Sequence, residues 1–234
     1  MLLCDNAKLN KEKIMKFIIA DEIKKTGIPV QGVLIKNTKN KQSDSKFEDY
    51  KAKVIAQIKQ DYTLENLKAD KIIQGFKELH TSFGISNRKN NAASENLLDF
   101  VLKRGNIPSI NLLVDIYNLI SVQSKLALGA HDVKYIGGNV TLRLTKGNEN
   151  FHPIAYPEAK AIAKNEYAYI DDDNDVLCRL EVRQCEKTKV TLDTSDVFYI
   201  IQGNLHTTEN DLSIATEQLI DLTTEFCGGT AEVI

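Results

Sequence analysis

Ile107-Pro108-Ser109-Ile110-Asn111-Leu112-Leu113-Val114-Asp115-Ile116-Tyr117-Asn118 is the stretch on which the fold turns. Proline lacks a backbone donor and suits the first turn of a helix, so Pro108 opens one. The spacing predicts a helix over Ser109–Leu126, with Leu113, Ile116, Tyr117 and Ile120 on one face. Upstream, the apolar residues keep the helical period. Phe47 to Tyr62 carries Phe47, Tyr50, Val54, Ile55 and Ile58 at that spacing. A second helix follows Thr63, an N-cap residue type, and runs through Leu67, Ile72, Phe76 and Leu79 to Gly84. A third covers Ser94–Arg104 and stops at Gly105. Downstream of Val133 the pattern shortens to β-rich segments parted by Gly, Asp and Asn: Val140–Leu144, Tyr167–Ile170, Val176–Leu180 and Val197–Ile201. Two more strands, Lys16–Ile23 and Pro29–Lys36, precede the helices, and Asn210–Phe226 forms a last helix. The expected architecture is a mixed α+β (α/β) fold, with a helix-rich N-terminal half and a sheet-rich C-terminal half. The whole chain, 1–234, is expected to be one unit.

With 42% apolar and 26% charged residues, the 234-residue chain can bury a core without staples. Cys4, Cys178, Cys185 and Cys227 have no metal-type spacing, so reduced thiols and a cytoplasmic location are expected. Met1-Leu2-Leu3-Cys4 is too short an apolar stretch for a signal peptide or a membrane span. The net charge of −2 conceals an asymmetry: residues 1–110 hold 20 Lys/Arg against 13 Asp/Glu, and residues 111–234 hold 10 against 19. A basic half of this kind can bind a polyanion on one face, or be no more than a solvated helical surface. Lys51, Lys53, Arg88, Lys89, Lys103 and Arg104 are the cations expected to build the basic face.

No GxSxG elbow, GxxxxGK[ST] loop, HExxH or GxGxxG occurs in the chain. Asp171-Asp172-Asp173-Asn174-Asp175 lacks the central glycine and distal glutamate of a calcium loop and is expected to be a solvated turn. No metal and no cofactor are expected. His131 stands after Gly129-Ala130, where the predicted helix gives way; it can hold a water or a ribose hydroxyl, or cap the turn. His80, His152 and His206 are expected at the surface. Glu186 lies among Arg183, Lys187 and Lys189, which would keep it ionised and able to accept from a hydroxyl or amino group, or in a salt-bridge cluster.

Two separated segments resemble the editing domain (B-three/B-four) of the bacterial phenylalanyl-tRNA synthetase beta subunit. Ile107–Asn118 is similar to that family's SINxVVDxTN(Y) stretch, and Gly129-Ala130-His131-Asp132 to its following HAFD, with Asp132 on the aspartate. Glu186–Val197 is similar to its GGE-x-S-x-V-x-x-x-T-x-N-V segment. The resemblance spans Phe76 to Gly203. It implies an editing pocket in which Glu186 contacts the misactivated amino acid and Asn118 follows the position of the family's threonine, here Tyr117. The family's pocket histidine falls on Gly129, and His131 aligns with its phenylalanine. Arg179–Cys185 replaces the glycines before the glutamate.

The resemblance implies a tRNA-binding protein that hydrolyses mischarged aminoacyl-tRNA in trans, with a tyrosyl-tRNA(Phe)-like substrate. Asn118 and His131 would be catalytic; Glu186, Tyr117 and Gly129 would bind the amino acid. Arg88, Lys89, Lys103 and Arg104 would contact tRNA. An aminoacyl ester is already activated, so a positioned water and oxyanion stabilisation suffice, and no nucleophile motif is required. The alternatives are a non-catalytic tRNA- or ligand-binding module and a structural role.

Overall fold

The computed structural model describes residues 15–88 and 90–234. Met1–Cys4 and Lys89 lie outside the described residues. The elements in chain order are β1 (Phe17–Ile19), α1 (Asp21–Lys24), β2 (Val30–Lys36), α2 (Ser45–Asp61), α3 (Leu64–Ala69), α4 (Lys71–Ser82), α5 (Ala93–Arg104) and α6 (Leu112–Ser124). There follow β3 (Ala127–Asp132), a 3-10 turn (Val133–Tyr135), β4 (Val140–Leu144), β5 (Tyr167–Asp171), β6 (Val176–Arg179), β7 (Arg183–Gln184), β8 (Val197–Gln202), α7 (Glu209–Cys227) and β9 (Thr230–Val233). The fold is mixed α+β, helix-rich before β3 and sheet-rich after it, as the patterning implies.

Two sheets form. One has the order β1-β4-β5-β6-β7 and the other β3-β8-β2-β9. The second sheet is the middle layer. On β2, Val33 and Ile35 face the helices α2, α5, α6 and α7, while Leu34 faces the first sheet. On β8, Val197, Tyr199 and Ile201 take the helical side, and Phe198 and Ile200 the other. A strand buried on both faces needs no polar alternation, which is why Val197–Ile201 reads as an unbroken apolar run.

The helix at the centre is α6. Every residue from Leu112 to Val122 is buried, so it is enclosed all round rather than on the one predicted face. Asn111 caps it by accepting from the Val114 amide at 3.2 Å. Asp115, fully buried, accepts from the Ser109 hydroxyl at 2.7 Å and the Ile110 amide at 2.8 Å. Lys51, expected on a basic face, is instead buried beneath this segment, with Glu48 at 2.7 Å and Asp115 at 3.8 Å. A buried carboxylate needs a nearby cation, and Lys51 supplies it.

Four boundaries differ from the sequence reading. Lys16–Ile23 is a short strand followed by a helical turn, because Asp21-Glu22 continues into α1. The helix after Thr63 breaks at Asp70, whose carboxylate caps α4 at the Ile72 and Ile73 amides. The helix expected over Ser109–Leu126 ends at Ser124, because Lys125 turns the chain with φ of 63°. Gly129-Ala130-His131-Asp132 therefore lies on a strand, β3, antiparallel to β8, and not at a helix end. The Asp171–Asp175 run is the turn between β5 and β6, with Asp171 accepting from the Gly137, Asp173 and Asp175 amides.

Candidate functional site

Strand alternation decides what faces the space between the sheets. On β3, Leu128 and Ala130 join the helical core, so Gly129 and His131 turn the other way, beside Ile200 and Phe198 of β8. Both β3 and β7 are edge strands of their sheets. Between these edges lies a cleft of about 360 Å³, within the range of small-ligand pockets. Its far wall is Tyr169, Cys178 and Gln202; Ala93, Asn96 and Leu97 of α5 flank it. Tyr117, Asn118, Gly129 and His131, four of the residues singled out in the sequence, all line it.

Tyr117 is nearly buried and packs edge-on against Tyr199, with ring centroids 6.3 Å apart. Burial pushes its phenol well above the ordinary value, against the opposing effect of a hydrogen bond with the Gln184 side chain. It stays a neutral hydroxyl. Gly129 lies beside the same amide: a Cβ there would sit 2.5 Å from Gln184 Nε2. Glycine thus leaves the room Gln184 occupies. Asn118, on α6, presents a neutral amide at the cleft.

His131 has no solvent exposure. Its Nδ1 is 2.8 Å from the Thr188 hydroxyl, and its Nε2 has no hydrogen-bond partner among the described residues. Burial pushes its pKa down to about 3, so it is a neutral imidazole near pH 7. Thr188 is held in place because its carbonyl accepts from the Asp132 amide at 2.9 Å.

Glu186 does not join these groups. The residues lining the cleft include Gln184 but not Glu186, whose carboxylate is partly exposed and paired with Lys189. The Lys189 hydrogen bond is what keeps its pKa below the usual carboxylate value. Gln184 points to the cleft and Cys185 enters a small core with Phe151 and Val176; Glu186, past the end of β7, is instead paired with Lys189. The expectation of one cavity shared by Glu186, Asn118 and His131 is corrected for the glutamate.

A different carboxylate reaches the cleft. Glu181, in the turn joining β6 and β7, is buried and lines it. Its Oε1 lies 2.6 Å from His80 Nε2, and its Oε2 accepts from the Tyr167 hydroxyl and, at 3.4 Å, from Gln202 Nε2. His80 is fully buried, which corrects its expected surface position: α4 carries it inward because the turn after β6 supplies a partner. Its Nδ1 meets Asn87 Oδ1 at 3.0 Å. Burial alone would lower the His80 pKa, but the hydrogen bond and charge of Glu181 raise it above the ordinary value. Neither residue belongs to a local motif; only the tertiary pairing, 101 residues apart, makes them visible.

Arg88, Lys103 and Arg104 are exposed. Arg88 precedes α5, while Lys103 and Arg104 are in its last turn, with Lys103 bonded to Asp99 at 2.7 Å. Lys89 is outside the described residues. No group of three or more His, Cys, Asp or Glu suited to a metal occurs among the described residues. None of their helices is long and apolar enough to cross a membrane.

No curated protein matches the sequence. Among solved structures, the fold is similar to that of an N-terminal fragment of the phenylalanyl-tRNA synthetase beta subunit from Pyrococcus horikoshii. That likeness has a TM-score of 0.50 and 14% identity over 93% of this chain. The chain spans 50% of the fragment's length. The B3/4 domain family model matches residues 81–228, which contain α5, α6, β3 and every strand of the cleft, and the chain belongs to that family.

Proposed function

We propose that the chain binds tRNA and that its cleft hydrolyses the ester of mischarged aminoacyl-tRNA in trans, with a tyrosyl-tRNA(Phe)-like substrate. The observation that carries the reading is the convergence of Tyr117, Asn118, Gly129 and His131 on one cleft of about 360 Å³ in a B3/4 domain. Asn118 and His131 place the water or the terminal ribose, and Tyr117 and Gly129 shape the amino-acid side. Glu181, rather than Glu186, is the carboxylate positioned to meet a polar group of that amino acid. The Glu181 oxygens already accept from His80, Tyr167 and Gln202, so a substrate hydroxyl would join this network as a further donor, and discrimination follows from the contact that a substrate without it cannot make. Arg88, Lys103 and Arg104 are proposed to meet the phosphates of the acceptor end, and the protein is proposed to act in the cytoplasm as one unit.

The test is hydrolysis of a panel of correctly and incorrectly charged tRNAs, with tRNA retention measured in parallel. Release of tyrosine from tyrosyl-tRNA(Phe) above the uncatalysed rate supports the reading. Retention of tRNA without hydrolysis of any charged species would replace it with a non-catalytic binding module. The pairing of Glu186 with Lys189, outside the cleft, is the observation that favours that second reading.

A further inference from the structure

His131 holds a buried ring nitrogen with no partner among the described residues, an unfavourable arrangement unless something meets it. The side chain lines the cleft although this nitrogen is itself shielded from solvent, so a ligand meets it by shifting the groups that cover it. What the nitrogen offers depends on which ring atom carries the proton, and that is set on the opposite side of the ring. There a short chain of groups is buried: Cys185 Sγ lies 3.1 Å from Thr188 Oγ1, which lies 2.8 Å from His131 Nδ1. Two proton arrangements are conceivable. In one, the Cys185 thiol donates to Thr188 and the Thr188 hydroxyl donates to Nδ1, so both protons within the chain find acceptors and Nε2 bears a hydrogen left for a ligand to meet. In the other, Nδ1–H donates to Thr188, the hydroxyl donates to sulfur, and the thiol proton has no place in the chain. Sulfur is a weak acceptor and imidazole nitrogen a good one, which favours the first.

Building on the proposed function, we propose that Thr188, backed by Cys185, is a positioning residue that holds His131 as a neutral imidazole whose Nε2–H points into the cleft toward a carbonyl or oxyanion oxygen of the ligand. His131 then acts as a hydrogen-bond donor to developing negative charge and takes no proton itself. A neutral donor of this kind needs a depressed pKa, and full burial provides it. Any water that attacks must lose its proton to another group.

The experiment reads the ring nitrogens directly, by NMR of protein labelled with ¹⁵N in histidine, in the wild type, Thr188→Ser and Thr188→Val. The wild type and Thr188→Ser are expected to show a protonated Nε2 and a bare Nδ1. Thr188→Val, which keeps the shape and loses the hydroxyl, is expected to lose that preference. A protonated Nδ1 in the wild type overturns the proposal, as does a Thr188→Val spectrum identical to the wild type. If Thr188→Val does not fold, Cys185→Ala replaces it, with the same loss of preference expected and an unchanged spectrum overturning the proposal. The amide-linked analogue 3′-(tyrosylamino)-3′-deoxyadenosine is then added to the wild type. A downfield shift of the Nε2 proton at saturation supports the oxygen contact, and saturable binding with that proton unmoved overturns it. If the free-protein spectra are as expected and the analogue does not bind at all, the deacylase reading fails while the donor assignment stands.

Discussion

Replacing Glu181 with alanine removes the acceptor shared by His80, Tyr167 and Gln202, all three fully buried. Each stranded donor costs about 1–3 kcal/mol when burial denies it water. The three share one carboxylate and are not additive, so removal of one partner of a buried charged pair, about 3–5 kcal/mol, is the better guide. For a chain of this length each kcal/mol lowers Tm by about 2–4 °C, giving a fall of roughly 6–20 °C. Glu181→Gln keeps the shape and one acceptor oxygen, and should cost about 1–2 kcal/mol. The pH dependence gives a second reading. His80 has a raised pKa in the folded protein, so its contribution is fully present below the unfolded value of 6.5 and is lost as pH rises through the folded value. Glu181→Gln removes the first-ranked raising influence, so the gain on acidification toward pH 5 should shrink. Urea midpoints and thermal melts at several pH values measure both effects. A Glu181→Ala protein within about 0.5 kcal/mol of wild type would refute the reasoning, because buried donors cannot be stranded that cheaply.

Gly129→Ala should push the Gln184 amide away, since the new Cβ would sit 2.5 Å from its nitrogen. A flexible side-chain end can yield, so we expect a stability change under about 1 kcal/mol in denaturant melts, but a substantial fall in ligand affinity at the cleft. Glu186→Ala should leave the amino-acid preference of hydrolysis within about twofold of wild type, because its partner is Lys189; a large change in the charged-tRNA panel would return it to the site. Binding to tRNA should weaken steeply with salt, and Arg88→Ala or Arg104→Ala should each reduce the slope of log affinity against log salt by about 1 in filter binding. No tRNA retention even at low salt would remove the nucleic-acid reading altogether.

Much of the architecture was legible because local rules and tertiary structure agree. Phe47 to Tyr62 is helical by spacing and becomes α2, and Thr63 and Gly105 cap or stop helices as their residue types suggest, whereas α6 starts at Leu112 behind an Asn111 cap and not at Ser109 behind Pro108. The strand carrying Gly129 and His131 was hidden because the apolar run before it continues a helical pattern, and only the left-handed turn at Lys125 breaks it. A lysine gives no warning of a positive φ. Four cleft residues were legible through the resemblance of Ile107–Asn118 and Gly129–Asp132 to the family's motifs, which lie on α6 and β3. Glu186 was not correctly placed, because the run Arg183–Lys189, polar except for Cys185, does not say which side chains a short strand turns inward. Glu181, two residues beyond β6, and His80 escaped notice because neither has a partner near it in sequence. Lys51 was misread although Glu48 stands one turn before it, because the segment that buries it, with Ser109 and Asp115, comes from elsewhere in the chain.

One site carries the proposed chemistry, so the most direct measurement is single-turnover hydrolysis of tyrosyl-tRNA(Phe) by wild type and by Gly129→Leu, with tRNA affinity measured for both. Gly129 has an ordinary strand backbone that a side chain can adopt, and a leucine there would displace the Gln184 amide and fill the cleft. We predict hydrolysis above background for wild type, background hydrolysis for Gly129→Leu, and tRNA affinities within about twofold of each other, since phosphate contacts dominate that affinity. Hydrolysis by Gly129→Leu at the wild-type rate would place the chemistry outside the cleft, and no hydrolysis by wild type would contradict the account outright.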